Sequence, residues 1–254
     1  MTGGSRGIGK AIARELAIEG VDVAIVARSA EALEQCAAEL AEATGQRIVP
    51  IVADTSRDAS VKAMVEQAAA TLGHLDILVN CAAQPGGQAA PPKLAEITDD
   101  AFYGDINVKV MGYLRCAREV APFMIRQGWG RIISISGLAA RQTGSTIGSI
   151  RNVAVVAMTK NLADELGKHG INVSVVHPGL TRTEKTPGVV AQRASRLGVS
   201  AEEAEKRMAT NIAGRLIDAR EIAYVVTFLA SPKAAAINGD VIAAGGGVSH
   251  VIYY

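Results

Sequence analysis

Thr2-Gly3-Gly4-Ser5-Arg6-Gly7-Ile8-Gly9 reads as a glycine loop that runs straight into an amphipathic stretch, residues 7–17, with Ile8, Ile12, Leu16 and Ala17 on one face. Such a loop, set between a buried strand and a helix, aims backbone N–H groups and a helix N-terminus at a phosphate. It therefore demands an α/β fold around it. The helix is present, but only Met1 precedes the loop. The sheet is expected to lack its first strand among these residues, either because the protein starts upstream of Met1 or because a central element is missing.

The rest of the chain alternates. β-Branched runs predict strands at residues 21–27, 47–53, 75–81, 131–136, 171–177 and 240–244. Helical spacing predicts helices at 29–40, 60–72, 100–127, 148–167, 201–212 and 219–229. Ser200 with Glu203, and Asp218 with Glu221, carry a helix-start signature, since the first side chain caps free N–H groups and the acid reaches back. Strands buried on both faces and separated by helices imply a parallel, doubly wound sheet with helices on both faces. With 49% hydrophobic but only 4% aromatic residues, the core is expected to be built from Ala, Val, Ile and Leu. A length of 254 residues without repeat or linker suits one domain, 1–254. Segments 82–92 and 179–198 are the least regular, and both follow strand C-termini, where open α/β sheets bind ligands.

A net charge of +1 gives no basic face for nucleic acid or an anionic membrane, and the longest apolar runs are strand-sized. No nucleic-acid or membrane partner is expected. Cys36, Cys81 and Cys116 are odd in number and far apart, which suits reduced thiols and a cytoplasmic location. No metal site is expected.

Further motifs give the loop its context. Asn80-Cys81-Ala82-Ala83 ends the strand at 75–81, Asn107 lies in the long helix at 100–127, and His177-Pro178-Gly179-Leu180-Thr181-Arg182-Thr183 follows the strand at 171–177. With Gly239-Asp240 and Gly245-Gly246, this series resembles the short-chain dehydrogenase/reductase family from Thr2 to about Gly246. The resemblance implies a Rossmann-type dinucleotide-binding domain with a substrate loop and small helix at about 183–212. It places Gly3, Gly7, Ile8 and Gly9 in the dinucleotide loop with Ser5 and Arg6, and Asp54 at the carboxylate that holds the adenine amino group. Asn80 and Ala82 fall beside the cofactor, although Cys81 and Ala83 depart from the family's Asn-Asn-Ala-Gly. Pro178, Gly179 and Thr183 match the segment that binds the nicotinamide carboxamide. A homodimer or homotetramer through the long helices is also implied, compatible with apolar Val153, Val156 and Ala157.

The cofactor's 2′ position is argued from charge. An NAD site usually places Asp or Glu after the second strand, where it accepts from the ribose 2′-OH and repels a 2′-phosphate. This chain has Ala27-Arg28-Ser29 there. Arg28 offers a bidentate fork, Ser29 a hydroxyl and Arg6 a second positive charge, so NADP(H) is expected to be preferred over NAD(H).

The proton donor does not follow the pattern. The family's general acid/base is the Tyr of Tyr-x-x-x-Lys, whose phenol is acidified by the nearby ammonium. An ungapped match through Thr159-Lys160 puts Gly148 at the Tyr position and Asn152 at the Lys position. Residues four after Tyr103, Tyr113 and Tyr224 are Asn107, Ala117 and Phe228, so no other register supplies the motif. The catalytic Ser corresponds to Gly137, with Ser136 one residue earlier and able to substitute only if the chain bends at Gly137. Asn107 matches the Asn that holds a water in the proton relay.

Other groups are weighed for that chemistry. Arg151 binds oxygen but does not release a proton, His177 reads as a structural hydrogen-bonder, and Tyr253 and Tyr254 read as a packing or interface anchor. The reading is an NADP(H)-dependent oxidoreductase for a small carbonyl or secondary alcohol, with an atypical site and weak or altered activity. Its alternative is a non-catalytic NADP(H)-binding subunit or sensor of the same fold.

Overall fold

The structure is a computed structural model that describes residues 1–84 and 91–248. Its elements in chain order are α1 (Gly7–Ile18), β1 (Val23–Ala27), α2 (Ala30–Thr44), β2 (Ile48–Val52), α3 (Asp58–Leu72), β3 (Ile77–Asn80) and α4 (Asp99–Ile106). A π-helical turn (Asn107–Met111) leads into α5 (Gly112–Gln127), followed by β4 (Gly130–Ile135), α6 (Thr146–Leu166), β5 (Ile171–Pro178) and β6 (Thr181–Arg182). Then come α7 (Thr186–Leu197), α8 (Ala201–Met208), β7 (Ile217–Asp218), α9 (Ala219–Ala230) and β8 (Val241–Ala244).

All strand pairs are parallel: β1 lies beside β2, and β3, β4, β5 and β8 follow in that order. Successive strand residues feed opposite layers. Val23 and Ile25 join a core with α1, α2 and α9, whereas Ala24 and Val26 join one with α3, α5 and α6. Ile133 and Ile135 of β4 likewise face the first core, and Ile132 faces the second. The result is the doubly wound α/β sheet expected from the alternation.

Between β1 and β3 the connection among the described residues is Met1–Thr2. Thr2 bridges Val26 in parallel and donates through its N–H to Val79 O at 3.0 Å, while Val26 N–H donates to Met1 O at 2.9 Å. Beyond this short link lies a cavity of about 80 Å³, lined by apolar side chains that include Leu16, Val23, Ala68, Leu75 and Leu78. The Met1 amine is buried here and donates to Ala24 O at 2.9 Å; burial lowers its pKa to about 6. The interior strand that the glycine loop calls for is thus not formed by the described residues.

Three expectations are corrected. Segment 179–198 is not irregular: Pro187 sits in the first turn of α7, where a missing N–H costs nothing, and Val190 and Ala194 pack with Ala204 and Met208 of α8. The helix expected at 100–127 is interrupted by the π turn, and the one expected at 201–212 ends at Met208. Residues 85–90 and 249–254, the latter including Tyr253 and Tyr254, lie outside the described residues.

Candidate active site

The glycine loop closes on itself so tightly that side chains are excluded. A Cβ on Gly9 would come within 2.0 Å of Gly3 O, and one on Gly3 within 2.9 Å of Ala82 N. Gly3 and Gly7 also take φ of 66° and 56°, the left-handed region that glycine adopts without strain. Thr2 Oγ1 ties the loop to the end of β3, accepting from Cys81 N–H at 3.1 Å and Ala82 N–H at 3.2 Å. Asn80, fully buried, donates through Nδ2 to Tyr113 O at 3.5 Å. Ile8 packs on the core, Ser5 is half-buried and Arg6 is exposed.

The cradle already receives an anion from the chain. Gly7 N–H lies 3.1 Å from both carboxylate oxygens of Glu184. Glu184 thus stands where the loop's geometry favours a phosphate, so the cradle fits a dinucleotide's pyrophosphate. Thr183 lies on the same side, its methyl 3.6 Å from where a Gly7 Cβ would stand, and its N–H donates to Thr186 Oγ1 at 2.8 Å. Pro178 ends β5, and Gly179 meets Gly245 so closely that a Cβ there would be 3.0 Å from Gly245 Cα.

At the other end, Arg28 and Ser29 are exposed beyond β1. The Ser29 hydroxyl accepts from Ala32 N–H at 3.5 Å as the cap of α2. Desolvation pushes the Asp54 carboxyl up, but hydrogen bonds from Ser56 and the charges of Arg28 and Arg57 outweigh it and hold the group below its ordinary value. An acid, an arginine and a hydroxyl therefore share one end of the cleft.

The residues that the resemblance sets at the proton relay, Asn107, Ser136, Gly137, Gly148 and Asn152, lie on the π turn, just after β4 and on α6. Asn107 opens the π turn, and its carbonyl accepts from Arg115 Nη1 at 3.2 Å. Ser136 Oγ donates to the main-chain oxygen of Asn152 at 3.2 Å. Gly137 is fully extended, and the Asn152 amide takes up the space beside it: a Cβ there would stand 3.1 Å from Asn152 Nδ2. Gly148 is buried in the first turn of α6, and a Cβ on it would meet Ser145 Oγ, the helix cap, at 2.7 Å. Arg151 Nη1 reaches both oxygens of Asp105 at 2.6 and 2.7 Å.

Lys109, which the motif reading missed, enters this space from the π turn. It is 3% exposed, and its Nζ donates to Ser136 O and to Asn152 Oδ1, each at 3.0 Å. Burial, reinforced by the Arg151 charge, lowers its pKa to about 7. The sequence signal was available: Lys109, Tyr113, Cys116, Ala117 and Val120 follow helical spacing, which places a lysine on an otherwise apolar stripe.

Neighbouring titratable groups lie far from neutrality. His177 is fully buried, and its Nδ1 accepts from Gly137 N–H at 3.3 Å. Burial, with the charges of Arg141 and Lys109, lowers its pKa to about 4. Tyr113 gives its hydroxyl to Ile135 O at 3.0 Å, and burial raises its pKa well above the ordinary value. Burial likewise pushes the Cys81 thiol up to about 11. Among the described residues no cluster of His, Cys, Asp and Glu suits a metal ion, and no helix is long and apolar enough to cross a membrane.

Comparison with known proteins gives this geometry its setting. A family model for short chain dehydrogenase matches residues 1–194. The chain is 34% identical over 249 residues to the short-chain reductase protein NovJ of Streptomyces niveus, covering 97% of this chain and 92% of that protein. The L-sorbose reductase of Gluconobacter frateurii, solved with NADPH and L-sorbose, superposes with a TM-score of 0.92 at 28% identity, covering 99% of this chain and 96% of the other. An actinorhodin polyketide ketoreductase with NADPH superposes with a TM-score of 0.89 at 31% identity, covering 98% and 96%. With the cradle, the doubly wound sheet and these relatives in agreement, the chain belongs to the short-chain dehydrogenase/reductase family of oxidoreductases.

Proposed function

We propose that the protein is an NADP(H)-dependent oxidoreductase that interconverts a small carbonyl compound and its secondary alcohol, using an atypical acid–base arrangement. The observation that carries this reading is the Gly3–Gly7–Gly9 loop, too tight for side chains, whose Gly7 N–H already meets a carboxylate and has Thr183 beside it; position 148 is Gly and position 152 is Asn. A bound nicotinamide dinucleotide supplies or accepts the hydride. The cradle N–H groups would hold its pyrophosphate, Asp54 its adenine, and Arg28 with Ser29 and Arg6 a 2′-phosphate that an acid in their place would repel. Pro178, Gly179 and Thr183 hold the carboxamide side, and helices α7 and α8, within 183–212, wall the substrate.

The second reading, a non-catalytic NADP(H)-binding subunit, rests on the loss of the phenol. The two are separated by incubating the protein with NADPH deuterated at the transferable position of nicotinamide C4 and a panel of ketones, diketones and sugar ketoses, with calorimetry of NADPH binding alongside. The oxidoreductase reading expects deuterium on the product carbinol carbon. Micromolar binding with no transfer to any carbonyl supports the second reading instead.

A further inference from the structure

We propose that Glu184 is a latch: in the ligand-free protein its carboxylate fastens the segment between β6 and α7 to the glycine loop, and a phosphate-bearing ligand that takes the same N–H releases that segment. The proposal rests on the dinucleotide reading of the loop and gives it a second conformational state.

The start of α1 explains why the carboxylate sits where it does. Gly7 is the first residue of that helix, and the N–H groups of a first turn have no partner inside the helix and carry the positive end of its dipole. The helix does not cap itself: Arg6 stands at the cap position without a side-chain bond, and the first turn holds no acid. Glu184, 177 residues away, supplies that anion, with both oxygens 3.1 Å from Gly7 N–H. Lys10, one turn further along α1, does not account for the contact, because its ammonium is paired with Glu39. What holds Glu184 is therefore the N–H that a phosphate would use. Two anions on one N–H repel each other, so a ligand that brings a phosphate there displaces the carboxylate.

The surrounding bonds show what the latch fastens. Thr183 and Thr186 bond reciprocally, Thr183 N–H to Thr186 Oγ1 at 2.8 Å and Thr186 N–H to Thr183 O at 3.0 Å. Glu184 is thereby fixed to the first turn of α7. Helix α7 in turn packs with α8 around a small core of its own, Val190, Ala194, Ala204, Met208 and Leu216, separate from the two cores that flank the sheet. The exit end of this unit is tied down, since Ile212 and Ala213 N–H donate to Gly247 O and Gly246 O at 3.2 and 3.0 Å, and Asn211 Nδ2 to Gly245 O at 2.9 Å. Among the described residues, the hydrogen bonds from 183–197 to α1 and its loop are the two of Glu184. Release thus frees the α7 end while the 211–213 end stays anchored.

The test follows backbone hydrogen exchange by mass spectrometry and the Gly7 amide by ¹⁵N NMR, on the full chain, with inorganic pyrophosphate and NADPH as separate probes. Without ligand, Glu184→Ala should shift the Gly7 signal and speed exchange across 184–197 several-fold, leaving 211–213 and the strands as in wild type. Glu184→Gln, which keeps an acceptor but not the charge, should fall between the two. Pyrophosphate should raise exchange of 184–197 in wild type to the Glu184→Ala level and leave that segment of the variant unchanged. Equal exchange of wild type and Glu184→Ala without ligand overturns the latch. NADPH that shifts the Gly7 amide yet leaves exchange of 184–197 unaltered in wild type overturns the latch and leaves the dinucleotide reading standing. Release by pyrophosphate with no binding of NADPH keeps the latch and overturns the dinucleotide reading, and a Gly7 amide that responds to neither probe overturns both.

Discussion

Single residues decide this cleft by what they exclude. Gly9→Ala would drive a Cβ into Gly3 O, so it should cost about 1–3 kcal/mol of stability, read as a lower denaturation midpoint, and weaken dinucleotide binding with it. On the proposed NADP(H) reading, Arg28→Asp should make NADH bind more tightly than NADPH. Losing a charge-assisted phosphate contact costs about 1.5–3 kcal/mol, roughly ten- to a hundredfold in Kd, which calorimetry resolves. Restoring the family's phenol and ammonium, Gly148→Tyr with Asn152→Lys, should not restore ordinary turnover. The new Cβ at 148 displaces the Ser145 cap, and a lysine at 152 meets the Lys109 ammonium in a buried space. Adding Lys109→Ser to that pair should raise turnover above the double variant, measured as NADPH oxidation. That positions 137, 148 and 152 carry Gly, Gly and Asn was legible in the sequence itself. For Lys109 the apolar stripe it shares with Tyr113 and Cys116 was legible, but its partners were not, because they come from Ser136 just after β4 and from α6, distant in sequence.

At the scale of elements, the π turn sets the position of Lys109. Such a turn carries one residue more than an α-helical path, so α4 and α5 are rotated relative to each other across it. Deleting Val110 should restore α-helical register and swing Lys109 away from Asn152. In NMR titration of lysine-labelled protein, the Lys109 signal that titrates near 7 should vanish while far-ultraviolet circular dichroism stays within a few per cent of wild type. A signal that persists after the deletion shows that the π turn is not what places the amine. The strands and most helices were legible because β-branched runs and amphipathic stripes state their own period. The π turn was not, since a shift of backbone hydrogen bonds leaves Val108, Val110 and Met111 looking like any helical stretch. Helix α7 hid for another reason: Pro187, Gly188 and the flanking Gly198 read as punctuation, yet one begins the helix and the last, at φ 65°, caps it.

Across the whole molecule, buried bases and buried thiols set opposing slopes on stability. His177 and Lys109 have folded pKa values of about 4 and 7, each below its ordinary 6.5 and 10.5. Within those windows the unfolded chain binds more protons, so stability rises with pH, at somewhat over ~1 kcal/mol per pH unit for each fully shifted group. Cys81 and Cys116 run the other way. Burial lifts their thiols to about 11 and 12 from 9.0, so above pH 9 the unfolded chain releases protons that the folded chain keeps, and stability falls. Urea midpoints should therefore climb from pH 5 to a maximum near 9, with a shallower climb above pH 7 in Lys109→Met. A profile flat between pH 7 and 9 in both proteins contradicts the burial of a neutralised amine. The Glu184 carboxylate on Gly7 N–H joins two segments 177 residues apart, and on the proposed reading it would make dinucleotide binding an exchange of anions. A tethered carboxylate acts as an internal competitor at an effective concentration of about millimolar or more, so the observed affinity for a dinucleotide understates the strength of the cradle itself. Glu184→Ala should tighten NADPH binding several-fold and slow its release, and the exchange couples each arrival and departure of cofactor to the segment that leads into α7.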